Sequence, residues 1–247
     1  MVWKIPENQL ALTNNQVHVW RAKLDLSANE IARLETLLSE DEKLRANRFR
    51  FPQHKRRFIA ARAILREILS YYLKINSDAL RFEYGSRGKP RLAKSMEVGS
   101  WQFNVSHSQE LALYGFTYHN RIGVDVEYLR SMNDAAKIAE RFFSAQESQL
   151  IANLSSEQQR QVFFQLWTAK EAYLKAIGEG LAGSLAGVDI NLNLDSAKSL
   201  ALVSIEGNVQ AAASWLMYPC IPENNYIATV AIESKTQKQQ IDFWSWN

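Results

Sequence analysis

Hydrophobic and polar positions follow two different periods along the chain, and the changes of period mark the predicted elements. Residues 16–21 predict a short strand. Ser27 with Glu30 then forms a capping-box signature ahead of an apolar stripe with helical spacing, and Ser39 with Glu42 repeats that signature. Residues 55–73 predict a longer helix, whose apolar positions are Phe58, Ala61, Leu65, Ile68, Leu69 and Tyr72.

The middle of the chain changes to the period of a strand. The segments WQFNVSHS, LALYGFTY and RIGVDVEYL predict three strands, the last two joined by a tight turn at His119 and Asn120. A further capping-box start, Ser144 with Glu147, leads into helices. The last of them has apolar positions at Phe163, Leu166, Trp167, Tyr173, Leu174 and Ile177. The segment YIATVAIE predicts a late strand.

This order, helices then strands and helices then strands again, predicts an α+β fold. The segments RFRF…AARAILREIL and RFFS…TAKEAYLKAI are loosely alike. We therefore expect two similar halves related by a pseudo-twofold axis, each with an antiparallel sheet packed against helices. The expected division is 1–115 and 116–247, and the two halves should pack directly on one another because no Pro/Gly/Ser-rich linker separates them.

Composition excludes several classes of protein. The chain has 247 residues, of which 47% are hydrophobic, so it can bury a substantial core. One cysteine allows neither an intrachain disulfide nor a cysteine-rich zinc site. With no basic leader and no apolar run long enough for a bilayer, we expect a soluble, cytoplasmic protein. Net charge is only +3, but residues 43–66 concentrate positive charge.

Two carboxylates in the segment GVDVE are the first candidates for chemistry. Alternation puts Asp125 and Glu127 on one face of a strand. An ordinary solvent-exposed polar face would also explain two carboxylates at these positions. Partly buried carboxylates about 6 Å apart repel by about 3 kcal/mol at an effective dielectric constant near 20, so they need a cation. Glu171 offers a third carboxylate, and its alternative role is an exposed helical pair with Lys175. Such oxygen ligands suit Mg²⁺.

Other candidates have ordinary structural alternatives. Gly88, Lys89 and Pro90 lie in a turn-rich segment, and Gly-Lys-Pro is common in surface turns. Ser106 and His107 end a strand and point to opposite faces, so they are not a catalytic dyad. A cap role in the helix that begins after Ser144 fully explains Glu147.

Taken in order, these motifs resemble those of the Sfp-type 4′-phosphopantetheinyl transferases. A basic segment, GKP, FNVSHS, GVDVE, RFF with Ser144 and Glu147, and W-x-x-K-E-x-x-x-K follow one another here. The resemblance implies transfer of 4′-phosphopantetheine from coenzyme A to a serine of an apo acyl, peptidyl or polyketide carrier protein, with release of 3′,5′-ADP. Such proteins serve fatty-acid, polyketide and nonribosomal peptide synthesis.

The resemblance also implies roles for individual residues. The implied ligands of Mg²⁺ or Mn²⁺ are Asp125, Glu127 and Glu171. Lys175 would contact the pyrophosphate of coenzyme A, and Glu147 would be either the general base or a helix cap. The implied contacts of the adenine and nearby phosphates are Lys89, Pro90, Ser106 and His107. The implied cations for the 3′-phosphate are Arg45, Arg48 and Arg62, with the choice among Lys43, Arg45 and Arg48 left open. We expect a monomer, since the chain is about twice as long as the trimeric holo-carrier synthases.

Three other functions compete with this one. A Mg²⁺-dependent phosphohydrolase or nuclease would use the same carboxylates, but it does not explain the other motifs. An inactive protein that binds coenzyme A or a carrier would have lost the metal site, whereas all three predicted ligands are present. A nucleic-acid-binding module is suggested only by the basic segment, and its binding would depend strongly on salt. We expect neither a nucleic acid nor a membrane as partner.

Overall fold

The computed structural model describes residues 2–7, 10–85, 88–96, 99–179, 184–192, 200–234 and 239–247. The helices are α1 (Ala28–Glu35), α2 (Glu40–Ala46), α3 (Pro52–Leu73), α4 (Ala135–Phe142), α5 (Ala145–Ala152), α6 (Ser156–Ile177) and α7 (Val209–Ala212). The strands are β1 (Gln16–Lys23), β2 (Phe82–Tyr84), β3 (Pro90–Leu92), β4 (Trp101–Ser108), β5 (Leu111–Tyr118), β6 (Ile122–Tyr128), β7 (Val188–Leu192), β8 (Leu200–Ile205), β9 (Trp215–Cys220), β10 (Tyr226–Glu233) and β11 (Gln240–Ser245). The predicted α+β class is confirmed.

Two sheets form the centre of the molecule. The first has the order β11-β1-β5-β4 and is antiparallel except for the parallel pair β1 and β11. The second has the order β6-β10-β9 and is antiparallel throughout. Two hairpins, β2-β3 and β7-β8, lie outside these sheets.

Alternation along the strands divides the core into layers. In β1, His18, Trp20 and Ala22 belong to one side and Val17 and Val19 to the other. The first side packs against α1 and α3. Val17 and Val19 instead join buried residues of β6 and β10, so the two sheets face each other. Helices α4 to α6 cover the outer side of the second sheet.

Helix α6 lies unusually close to β6. A Cβ atom added at Gly123 would lie 1.9 Å from the backbone oxygen of Ala172 and 2.5 Å from the backbone nitrogen of Ala176. Only a glycine leaves room for this approach. The backbones of α6 and β6, which carry the predicted metal ligands, are therefore in direct contact at Gly123.

The predicted elements match the structure where the local pattern is strong. The capping boxes at Ser27 and Ser144 are present, and the strands at 101–108 and 111–118 have the predicted bounds. The predicted boundary between 115 and 116 falls inside β5, and β11 pairs with β1, so the last strand belongs to the sheet of the first half. The pseudo-twofold relation stays a prediction. No helix within the described residues is long and apolar enough to cross a bilayer.

Candidate active site

A cavity of about 390 Å³ opens where β4, β6 and α6 meet. Helix α6 contributes Trp167, Glu171 and Lys175, which are spaced four residues apart and so lie on one face. Strand β6 contributes Asp125 and Glu127. The rest of the lining is Gly88, Lys89, Pro90, Asn104, Val105, Ser106, His107 and Gly178. The structure thus brings together most of the predicted site residues.

Asp125 is the centre of a short hydrogen-bond network. The Lys175 Nζ atom lies 2.5 Å from Asp125 Oδ1 and 2.8 Å from Ser106 Oγ. The Ser106 hydroxyl in turn donates to Asp125 Oδ1 over 2.9 Å. One carboxylate oxygen of Asp125 is therefore held by a cation and a hydroxyl, each from a different element.

Two other carboxylate oxygens of the site have no hydrogen-bond donor among the described residues. Asp125 Oδ2 and Glu171 Oε1 are buried and have no hydrogen-bond partner among the described residues. Burial, and then the charge of Asp125, raise the pKa of Glu171 to about 7. The same two causes raise the pKa of Glu127. An added cation would stabilise the ionised forms of these buried acids, and carboxylate oxygens are ligands that suit a hard divalent ion.

The arrangement is nevertheless not a ready-made metal site. Within the described ranges, no three histidine, cysteine or acidic side chains are placed to hold one ion together. Asp125 is neutralised by Lys175 instead. A metal ion at Asp125 would have to share this carboxylate with Lys175 or displace its ammonium group.

Lys89 lines the cavity, and its ammonium group is bound by backbone carbonyl groups. Its Nζ atom donates to the backbone oxygens of Lys175 at 2.8 Å and Ala176 at 3.0 Å, and lies 3.4 Å from that of Ile122. Burial and the charge of Arg121 lower the pKa of Lys89 to about 8. Lys89 therefore stabilises the last turn of α6, where free carbonyl groups attract a cation.

The predicted arginines lie in a neighbouring region. Arg45 and Arg48 are exposed and line a second cavity of about 570 Å³ together with Tyr84. Tyr84 pairs with Pro90 in the β2-β3 hairpin, so this hairpin connects the second cavity to the first. Arg62 is mostly buried and its Nε atom lies 3.4 Å from Glu42 Oε1. Its guanidinium group also lies over the rings of Phe58, Phe82 and Tyr84.

Glu147 is not among the residues that line the main cavity. It is 4% exposed, and its carboxylate accepts hydrogen bonds from the backbone nitrogens of Ser144 and Ile190 at 3.0 and 2.9 Å. The fully buried Lys170 Nζ lies 2.7 Å from Glu147 Oε2 and also donates to the backbone oxygens of Leu185 and Val188. The pair ties α5, α6 and β7 together.

Sequence reasoning missed some of the residues in the cavity. Asn104 was not predicted, and neither was Trp167 as a site residue. Ser108, next to the cavity, was also missed, although its hydroxyl donates to Glu127 Oε2 over 2.9 Å. A signal existed, because Asn104, Ser106 and Ser108 place polar side chains at alternate positions of the strand, whereas the neighbouring Phe103 and Val105 are apolar.

Two family models match large parts of the chain. Residues 121–231 match the family model described as the 4′-phosphopantetheinyl transferase superfamily, and residues 20–115 match the model of the 4′-phosphopantetheinyl transferase N-terminal region. A Helicobacter pylori holo-[acyl-carrier-protein] synthase structure in complex with coenzyme A covers 46% of this chain and 99% of its own, with 17% identity and a TM-score of 0.36.

Similarity to curated proteins extends over nearly the whole chain. The 4′-phosphopantetheinyl transferase HetI of Nostoc sp. is 41% identical over 230 residues, which are 93% of each protein. The 4′-phosphopantetheinyl transferase Sfp of Bacillus subtilis is 27% identical over 177 residues, 72% of this chain and 76% of Sfp. On this similarity the chain is a transferase and belongs to the 4′-phosphopantetheinyl transferase superfamily.

Proposed function

We propose that this protein transfers the 4′-phosphopantetheine group of coenzyme A to a serine hydroxyl of an apo carrier protein, with a divalent metal ion and with release of 3′,5′-ADP. The observation that carries the proposal is the group of Asp125, Glu127, Glu171 and Lys175 around one cavity. Two buried carboxylate oxygens of this group have no donor among the residues that the structure describes. Membership of the family supplies the reaction class.

The three carboxylates are proposed to hold Mg²⁺ or Mn²⁺. Burial raises the pKa values of Glu127 and Glu171, which shows that their ionised forms are poorly solvated in the free protein. A divalent cation would remove this penalty. When bound, it would polarise the phosphoryl group and neutralise charge on the leaving nucleotide.

Lys175 is proposed to contact the pyrophosphate. The Lys175 side chain is 26% exposed and lines the cavity, so its ammonium group can reach a phosphate there while Lys175 stays in helix α6. In the free protein it neutralises Asp125. We propose that the phosphate attracts this ammonium group away from Asp125, which frees the carboxylate for the metal ion.

The remaining coenzyme A contacts are proposed along the β2-β3 hairpin. The exposed guanidinium groups of Arg45 and Arg48 beside Tyr84 suit the 3′-phosphate, because arginine binds phosphate in a bidentate manner. Ser106 and His107, together with Pro90, line the path into the main cavity. Lys89 and Arg62 are proposed to hold this path in place, since both already have protein partners.

Glu147 is proposed to be a structural residue. Both of its carboxylate oxygens accept hydrogen bonds or an ion pair, and it lies outside the main cavity lining. A general base must reach the proton that it removes, either directly or through one water molecule. The carrier serine is proposed to enter the main cavity, which one chain forms by itself, so the protein is proposed to act as a monomer.

Mass spectrometry tests the transfer directly. The purified protein is incubated with coenzyme A, Mg²⁺ and a set of apo acyl, peptidyl and polyketide carrier proteins, and each carrier is weighed intact. We expect a gain of one phosphopantetheine on at least one carrier and an equimolar amount of 3′,5′-ADP. Chelation of the metal, or Asp125→Ala, should abolish both.

Two results would contradict the proposal. Phosphate release from coenzyme A without modification of any carrier would indicate a phosphohydrolase instead. Full transfer by Asp125→Ala in the presence of chelator would remove the metal site from the mechanism. A carrier whose acceptor serine is replaced by alanine is the matched control, because it should bind without gaining mass.

A further inference from the structure

The two sheets meet along a seam that side chains, rather than backbone pairs, hold together. Strands β4 and β6 run next to each other but belong to different sheets. The backbone nitrogens of Val124, Val126 and Tyr128 in β6 donate to side-chain oxygens of β4. Their acceptors are Asn104 Oδ1 at 2.9 Å, Ser106 Oγ at 3.4 Å and Ser108 Oγ at 3.1 Å, respectively.

Two of these side chains also contact the predicted metal ligands. The Ser106 hydroxyl donates to Asp125 Oδ1, and the Ser108 hydroxyl donates to Glu127 Oε2, both over 2.9 Å. Each hydroxyl has one proton, which goes to the carboxylate, and lone pairs that accept the N–H of the following residue. Ser106 and Ser108 therefore each donate a hydrogen bond to one carboxylate and accept one from the backbone N–H of the residue that follows that carboxylate.

We infer that Ser108 is a positioning residue, which sets the orientation of Glu127 for metal binding and locks it to the first sheet. The inference rests on the proposed function, since it takes Glu127 as a metal ligand. Glu127 is half-buried, and the Ser108 hydroxyl contacts Oε2 of its carboxylate, so Oε1 can bind a cation. Without the Ser108 hydroxyl, this side chain would lose its donor, and the Tyr128 N–H would lose its acceptor.

A positioning residue strengthens metal binding because it restricts the rotamers of the ligand before the metal binds. A glutamate has three side-chain torsions, and fixing them upon metal binding costs entropy. A hydrogen bond from an outer group fixes the orientation beforehand, and loss of such a partner commonly weakens metal binding by about 10–100-fold. Ser106 has a second partner in Lys175, so Ser108 allows the cleaner test.

Amide hydrogen exchange tests the seam without any metal. In the free wild-type protein, NMR should show slow exchange for the amides of Val124, Val126 and Tyr128. In Ser108→Ala, the Tyr128 amide should exchange at least tenfold faster, while the Val124 amide keeps its protection. Fast exchange of the Tyr128 amide already in the wild type would overturn the inference.

Mn²⁺ binding tests the positioning role. Mn²⁺ is titrated by electron paramagnetic resonance in the presence of saturating coenzyme A, and the dissociation constant is compared among variants. We expect Ser108→Ala to bind Mn²⁺ about 10–100-fold more weakly. Ser108→Thr, which retains a hydroxyl, should bind within threefold of the wild type. The matched control is Ser204→Ala, because Ser204 also lies on a strand and donates to a carboxylate, that of Asp189, away from the cavity.

The possible outcomes separate the two hypotheses. If the wild type binds Mn²⁺ and Ser108→Ala binds it equally well, the positioning role is wrong and the proposed metal site stands. If the wild type itself binds no Mn²⁺ with coenzyme A present, the metal site is wrong and the positioning role falls with it. Weak binding in both Ser108→Ala and Ser204→Ala would indicate a general loss of structure and would also overturn the specific role of Ser108.

Discussion

Replacement of Gly123 by alanine should disturb the active site from within the core. The added Cβ atom would lie 1.9 Å from the Ala172 oxygen, 2.5 Å from the Ala176 nitrogen and 3.0 Å from the Ala172 carbon. All three atoms belong to the backbone of α6, so no change of a side-chain rotamer relieves the contact. To reach an ordinary separation of 3.4 Å, the helix must move by about 1.5 Å.

The size of the effect follows from this displacement. Overpacking of a well-packed core costs about 1–3 kcal/mol, and occasionally more, so we expect a loss near the upper end of this range because backbone is displaced. For a chain of this size, about 3 kcal/mol lowers Tm by about 6–12 °C. Glu171 and Lys175 belong to the same helix and would move with it. Because a misplacement of about 1 Å in an active site costs about 100-fold in rate, the transfer rate should also fall.

Urea unfolding and thermal unfolding of Gly123→Ala measure the stability, and the transfer assay measures the rate on protein that is still folded. The control is Gly85→Ala, because a Cβ atom at Gly85 has its nearest neighbour at 3.8 Å and its backbone needs no positive φ. We expect the control to unfold within about 0.5 kcal/mol of the wild type. A Tm for Gly123→Ala within about 2 °C of the wild type, with a normal rate, would refute the reasoning.

Two further predictions concern buried titratable groups. Glu147→Gln should lower the free energy of unfolding by about 3 kcal/mol, because it leaves the buried charge of Lys170 without its partner. The kcat of this variant, measured on folded protein, should stay within about threefold of the wild type. A drop in kcat of about 100-fold or more with stability unchanged would instead identify Glu147 as a general base. Burial lowers the pKa of His18 from 6.5 to about 4. Between pH 6.5 and about pH 4, His18 is therefore protonated in the unfolded chain but not in the folded protein. The stability associated with His18 is complete above about pH 6.5 and falls by up to about 3 kcal/mol as the pH drops to about 4. Urea unfolding of the wild type and of His18→Gln at both pH values should show this extra loss in the wild type only, and an equal loss in both would contradict the prediction.

Local patterns predicted the elements that position the site. Strand-type segments separated by turn residues identified β4, β5 and β6, although both faces of β5 are buried. The capping box at Ser144 correctly predicted that Glu147 closes the start of α5. The three carboxylates that line the cavity were singled out by residue type, and the family resemblance implied that they act together as metal ligands.

What the sequence did not predict depends on contacts between distant segments. The Lys89 ammonium reaches carbonyl groups more than 80 residues further along the chain, and β11 pairs with β1 although more than 200 residues separate them. A Gly-Lys-Pro turn contains no information about where its lysine points. Lys170 was known to precede Glu171, but its buried pair with Glu147 requires the packing of two helices.

The position of the site on the seam explains why its parts depend on one another. Asp125 and Glu127 stand on the second sheet, yet their hydroxyl donors, Ser106 and Ser108, belong to the first. Lys175, on the helix behind the second sheet, reaches across to Ser106. Removal of the hydroxyls would leave buried carboxylates that repel one another, whereas separation of the sheets would dismantle the ligand set. The hydrogen bonds that join the two sheets therefore also arrange the carboxylates for the proposed metal ion.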